Sequence, residues 1–169
     1  MARAMVPGSE EERELTRLME TYGGMLVGLC AAALRDGHLA QDATQETFLK
    51  AYRHLSQLAH VDSERAWLIR IALNTCRDYQ RTWWARHVDR RTSLELLPEA
   101  GAEDASQDIL DQVRRLPRGE REAVLLHYWQ GMDADEIAAA LGVNRATVYR
   151  KLSKARTRLR VELEGGEEP

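Results

Sequence analysis

The chain has 169 residues, 44% hydrophobic and 30% charged, with a formal net charge of -3 at neutral pH. That allows one ordinary domain or two small ones with enough apolar material for packed cores, and it excludes a chain disordered throughout. No run approaches the roughly 18 consecutive apolar residues of a membrane span, and the opening MARAMVPGSEEERE is too acidic and polar for a signal peptide, so a cytoplasmic location without membrane insertion is expected.

From Glu11 to Leu34, residues Leu15, Leu18, Met19, Tyr22, Leu26, Leu29 and Ala33 recur at threes and fours, which predicts an amphipathic helix ended by Gly37. A second helix fits Leu39 to Leu55. Its inward stripe is Ala40, Thr44, Thr47, Phe48, Ala51 and Leu55; the opposite side carries Asp42, Gln45, Glu46, Leu49 and Arg53. An acidic, amide-rich face with an exposed leucine suits a protein partner and is poor for DNA. A third helix spans about Ser63 to Trp84, with Leu68, Ile71, Ala72, Thr75 and Tyr79 inward and Arg70, Asn74, Arg77 and Arg81 along one ridge. Ridge cations with an asparagine amide can hold nucleic-acid backbone and a base edge together. Trp67 reads as core, next to Ile71 at helical spacing, while Trp83 and Trp84 fit either burial or stacking on unpaired bases. Cys30 and Cys76 lack any CxxC or metal-ligand spacing and read as free thiols.

From about His87 to Gln107 the periodicity fails, and Pro98, Gly101 and acidic residues accumulate. Some twenty structureless residues do not belong inside one compact domain, so 88–107 reads as a flexible acidic linker between a domain at 1–87 and another at 108–169. Helical periods then cover Asp108 to Leu116, Gly119 to Gln130, Asp133 to Leu141 and Asn144 to about Leu163, and GGEEP reads as a loose tail. No alternating strand pattern occurs. The expected fold is all-α: two small helical domains on a flexible linker, the C-terminal one a helix-turn-helix.

That assignment rests on DADEIAAALGVNRATVYRKL. Asp133 can cap a helix with Glu136 three residues on, Ile137, Ala138 and Leu141 supply its buried face, Gly142 suits a left-handed turn, and Asn144 caps the next helix. Cap, short apolar helix, glycine turn, cap and basic helix make the helix-turn-helix plan. Val148, Leu152, Ala155 and Leu159 share the packed face of the second helix. On the other side Arg145, Tyr149, Arg150 and Lys154 are candidates for base or near-base contact in the major groove, with Thr147 among them; Arg156, Arg158 and Arg160 read as phosphate contacts or solvated charges.

Charge supports this division. Asn144 to Arg160 holds seven cations and no acid, and Arg65 to Arg91 holds seven arginines against Asp78 and Asp89. Two basic surfaces on an otherwise acidic chain imply two contacts with a polyanion, since the acidic remainder suppresses indiscriminate adhesion. An enzyme is not indicated: the five histidines lack carboxylate or cysteine companions at metal-site spacing, and there is no phosphate loop or nucleophile motif, so no catalytic residue, metal or cofactor is expected. The remaining rival to a DNA reader that also grips a protein partner is a regulator with a helical sensor or dimerisation domain fused to a helix-turn-helix, and only the Asp42/Gln45/Glu46 face and the Arg70 ridge separate the two.

QDATQETFLKAY, ERAWLIRIALNTCRDY, LPRGEREAVLLHYWQG and MDADEIAAALGVNRATVYRKLSKARTRLR, in this order, resemble bacterial sigma factors of the extracytoplasmic function (ECF) class, from about Leu15 to Arg160. The resemblance implies a protein that binds core RNA polymerase and directs it to promoter DNA. Asp42, Gln45, Glu46 and Leu49 would meet the polymerase clamp helices. Arg70, Asn74, Arg77 and Arg81 would serve the -10 element, and the loop from about Ser56 to Ser63 would capture a flipped base. Arg145, Thr147, Tyr149, Arg150 and Lys154 would serve the -35 element. The linker would thread toward the polymerase active-site and RNA-exit region, and family habit adds an anti-sigma factor as a partner. The chain departs from the family pattern at QRTWWARH, where many members run arginines, at Tyr149 and Arg150, and in the short loop AHVDSE.

Overall fold

The computed structural model describes residues 8–87 and 105–164. Its elements are α1 (Glu10–Leu34), α2 (Gly37–Arg53), a 3₁₀ turn (Leu55–His60), α3 (Glu64–His87), α4 (Ala105–Arg115), α5 (Arg118–Val124) continued by a π-helical turn (Leu125–Trp129), α6 (Ala134–Leu141) and α7 (Arg145–Glu164). Among the described residues no strand occurs, as the all-α reading expects. The greater part of the expected linker lies outside the described residues, and α4 opens inside its last stretch, at Ala105. The chain divides into two compact units between Cys76 and Arg77, inside α3.

In the first unit, α1 starts with a complete capping box: the Ser9 hydroxyl accepts from the Glu12 amide and the Glu12 carboxylate accepts from the Ser9 amide, both at 3.2 Å. Two orphan donors are satisfied at once. The helix ends at Arg35, which adopts the left-handed conformation at φ 59° while its amide donates to the Ala31 carbonyl. Gly37, the expected terminator of α1, is instead the first residue of α2, whose cap Asp36 accepts from the amides of His38 and Leu39. The Arg35 backbone makes the turn, and the Asp36 side chain restarts the helix before a glycine stop is needed.

Leu18, Leu26, Leu29 and Cys30 of α1 pack with Ala40, Ala43, Phe48 and Ala51 of α2 and Ala66, Leu68, Ile69, Ala72, Leu73 and Cys76 of α3 in the core. Met19, which periodicity puts in the α1 stripe, is 49% exposed. The buried hydroxyls of Thr44, Thr47 and Thr75 donate back to the carbonyls of Ala40, Ala43 and Ile71, so none is stranded without a partner. Across helices, Arg17 and Tyr22 of α1 both reach the Glu64 carboxylate at the start of α3, and Lys50 of α2 donates to Thr75 at 3.1 Å. Cys30 and Cys76 form no disulfide and are buried, yet neighbours: a hydrogen bond with the Cys76 thiol, partly opposed by burial, holds Cys30 below the ordinary thiol value.

The second unit centres on Val113, Leu116, Ala123, Val124, Leu125, Leu126, Met132, Ile137, Ala140, Val148, Leu152 and Ala155. The single helix expected from Gly119 to Gln130 passes into a π turn at Leu125, where Gln130 donates to the Leu125 carbonyl across five residues. One residue of helical phase slips there, which turns Tyr128 and Trp129 to solvent, 55% and 48% exposed.

Candidate nucleic-acid and protein interfaces

The turn that sets up the recognition helix is built as its sequence implies. Asp133 accepts from the Glu136 amide at 2.8 Å to start α6; Gly142 ends it at φ 67°, where a Cβ would be strained; and Asn144 accepts from the Thr147 amide at 2.8 Å to start α7. Ile137 and Val148 are fully buried, so α6 holds α7 through apolar contact, α5 and α4 pack on it as well, and its cations lie on the face these helices leave open.

Along α7, Arg145, Tyr149, Arg150 and Lys154 are exposed and Thr147 is half-buried. They fall into two groups. Arg145 donates to the Tyr149 hydroxyl at 3.1 Å, lies over its ring at 5.6 Å, and has the Asp135 carboxylate of α6 at 3.6 Å. Arg150 donates to the Thr147 hydroxyl at 3.0 Å on the outer face, where Lys154 follows one turn later. Two of the three remaining arginines are engaged within the unit: Arg156 donates to the Tyr128 hydroxyl at 2.8 Å, and Arg158 lies 2.9 Å from the buried Glu120. The expectation that both are phosphate contacts or merely solvated overlooks these partners, which come from elsewhere in the unit.

On α3, Arg70 and Asn74 are exposed, and Arg81 is exposed and pairs with Asp78 at 2.6 Å. Arg77, at the start of the second unit, donates to both carboxylate oxygens of buried Glu122 at 3.1 and 2.5 Å. The ridge therefore does not present four equivalent cations and amides. Trp67, expected in the core, is half-buried, and its indole N–H donates to the side-chain amide oxygen of Gln57 at 3.4 Å, linking the 3₁₀ turn to α3. Trp83 is 44% exposed, and the side chain of Trp84 lies outside the described residues.

On α2, Asp42, Gln45 and Leu49 are exposed and Glu46 is half-buried, all on the side away from the core. Leu49 is not alone there. With Met19 and Val27 of α1 it opens onto an apolar groove of 470 Å³ floored by Phe48. Periodicity assigns Met19 to the core and passes over Val27; the signal that could have found them is the surplus width of the α1 apolar stripe. A second apolar groove, of 590 Å³, lies in the second unit between Ile109, Val113, Tyr128, Trp129 and Leu159. Among the described residues no cluster of three metal-ligating side chains occurs, and no helix is long and apolar enough to cross a membrane.

A three-helix unit with an acidic, leucine-bearing face, followed by a helix-turn-helix whose second helix is basic, defines a two-module DNA-reading protein. Residues 18–87 match the model for sigma-70 region 2, and residues 106–159 the model for sigma-70 region 4. The RNA polymerase sigma-E factor of Streptomyces antibioticus is 32% identical over 91% of this chain and 87% of its own length. The ECF RNA polymerase sigma factor SigM of Bacillus subtilis is 30% identical over 75% of this chain and 80% of its own. Against the probable RNA polymerase sigma factor RfaY of Xanthomonas campestris, 28% identical, the chain spans 40% of the relative's length. In fold it is similar to the sigma factor RpoE of Bartonella quintana, solved with the anti-sigma factor NepR, at a TM-score of 0.69 and 21% identity over 92% of this chain and 99% of that one. The chain belongs to the ECF class of the sigma-70 family of RNA polymerase sigma factors, which serve promoter-specific transcription initiation.

Proposed function

We propose that the work of a sigma factor is divided between named surfaces of this chain, with 1–87 and 108–169 as separate modules on an 88–107 linker. Asp42, Gln45, Glu46 and Leu49 grip core RNA polymerase; Arg70, Asn74, Arg77 and Arg81 engage the -10 element; Arg145, Thr147, Tyr149, Arg150 and Lys154 read the -35 element. The observation that carries this reading is the contrast between the faces: α2 presents acids, an amide and an exposed leucine beside an apolar groove, whereas α7 presents cations and a phenol. The first suits a protein partner and repels phosphate; the second suits DNA. The chain works without cofactor or metal, catalyses nothing itself, and acts in the cytoplasm with the polymerase. A protein inhibitor is a further proposed partner, supported by the complex in which the similar Bartonella factor was solved.

Run-off transcription with purified core polymerase on genomic fragments tests the whole reading, and pull-down with core enzyme tests the division. Asp42→Lys combined with Leu49→Ala is expected to abolish polymerase capture while the helical circular-dichroism signal persists. Neutralising Arg150 and Lys154 is expected to cost promoter complexes and spare capture. Equal loss of both activities in both variants would refute the division.

A further inference from the structure

Sequence alone puts Arg145, Arg150 and Lys154 on equal terms as candidate base contacts, but the geometry separates Arg145 from the other two. At about 100° per helical residue, Arg145 and Tyr149 lie about 40° apart on one flank of α7, beside the packed row Val148, Leu152 and Ala155, whereas Arg150 and Lys154 occupy the outer face. On that flank the Arg145 guanidinium is held from two sides, by the Tyr149 hydroxyl at 3.1 Å and by the Asp135 carboxylate at 3.6 Å. It titrates above the ordinary arginine value, first through the Tyr149 hydrogen bond and then through the Asp135 charge. A guanidinium engaged in this way is poorly placed to offer a free fork to guanine.

The phenol is what the arrangement leaves free. Its oxygen accepts from Arg145, its ring lies under the guanidinium at 5.6 Å, and its own proton meets no acceptor among the described residues. A phenol whose oxygen is occupied by a cation turns its O–H outward, as a donor. Tyr149 is 51% exposed, one helical turn into the helix that enters the groove.

We propose that Asp135 and Arg145 are positioning residues that hold Tyr149 as a hydrogen-bond donor toward one base of the -35 element. In the major groove guanine offers N7 and O6, adenine N7 and thymine O4 as acceptors, whereas cytosine offers only its N4 donor. Tyr149 therefore discriminates against cytosine at the base it faces. This rests on the reading that α7 serves the -35 element, and it moves Arg145 from reader to support.

The test is selection of randomised -35 sequences by holoenzyme reconstituted from the full chain and core RNA polymerase. Wild type is expected to deplete cytosine at one position by roughly fivefold to tenfold, the discrimination of a single hydrogen bond. Tyr149→Phe, which keeps the ring and removes the donor, is expected to erase that depletion and leave the other positions unchanged. Arg145→Ala and Asp135→Asn are expected to weaken it at the same position, the second less than the first; Arg145→Lys, which keeps charge but not the fork, should fail as the alanine does. A Tyr149→Phe profile identical to wild type overturns the proposal. So does an Arg145→Ala variant that loses affinity equally for every sequence and flattens the salt dependence by about 0.9 in log-log slope, which marks a phosphate contact. Wild-type holoenzyme that enriches nothing in the -35 region sinks the underlying promoter reading instead, and this inference with it.

Discussion

Ile137→Ala tests whether α6 holds the recognition helix in place. Ile137 is fully buried, and its helix packs on α7, whose Val148 and Ala155 are fully buried as well. Truncating such a side chain costs about 2–5 kcal/mol, from forfeited apolar transfer plus the cavity left behind. The stretch 105–164 is small: at about 0.05–0.15 kcal/mol per residue, its stability is about 3–9 kcal/mol, so one truncation removes a large share. With a urea dependence of about 1 kcal/mol per molar for a unit of this size, the second unit's midpoint should fall by about 2 M or more. The assay is urea unfolding followed by circular dichroism, paired with core-polymerase capture and -35-dependent promoter binding. Ile137→Val, one methylene smaller, should cost only about 0.5–1.5 kcal/mol and serves as the graded control. The expected outcome is loss of -35 binding with capture retained. A cost below about 1 kcal/mol for the alanine, or capture falling in step with promoter binding, would refute the view that α6 is a passive support for α7 alone.

Asn144→Ala removes the side-chain cap of α7 and should cost about 1 kcal/mol of unit stability, read as a lower thermal midpoint. Gly142→Ala forces a Cβ into φ 67° and should also destabilise, by about 1 kcal/mol after the gain from stiffening the unfolded chain is subtracted. The two sites share one turn, so their double variant should lose a different amount from the sum. Neutralising Arg150 and Lys154 together should make the log-log salt slope of promoter binding shallower by up to about 1.8, at about 0.9 for each phosphate left without its cation. An unchanged slope would mean that neither cation meets phosphate.

What was legible in the sequence follows from how far each signal reaches. The helical period reports the nearest three or four residues, and it located α1, α2, α3 and the helix-turn-helix, along with the buried row Val148, Leu152 and Ala155. Caps are equally local, which is why Asp133, Gly142 and Asn144 take the roles their spacing implies. The errors arise where two local signals compete or where the partner is distant. Gly37 has the composition of a helix stop, but Arg35 takes the left-handed position first and Asp36 restarts the chain. The π turn at Leu125 shifts the phase without interrupting the run of apolar residues, so periodicity alone had no break to detect. The pairing of Arg158 with Glu120 joins residues far apart in the chain, and nothing local distinguishes Arg158 from its neighbour Arg156. Cys30 and Cys76 meet for the same reason, through packing of α1 on α3 rather than through any spacing motif.

The same distinction resolves how one helix tolerates seven cations. Left to repel one another in water, charges on adjacent turns would each cost a few tenths of a kcal/mol. Two of them instead meet a carboxylate of their own unit, Arg145 that of Asp135 and Arg158 that of Glu120, while Arg156 donates to the neutral Tyr128 hydroxyl and keeps its charge. Because Glu120 is buried, removing Arg158 leaves a carboxylate that the unit must accommodate, whereas Arg158, itself exposed, is solvated if Glu120 is removed. The unpaired charge on α7 is therefore smaller than the charge written in the sequence. Arg150 and Lys154 face outward, with Tyr149 between them and the flank that carries Arg145.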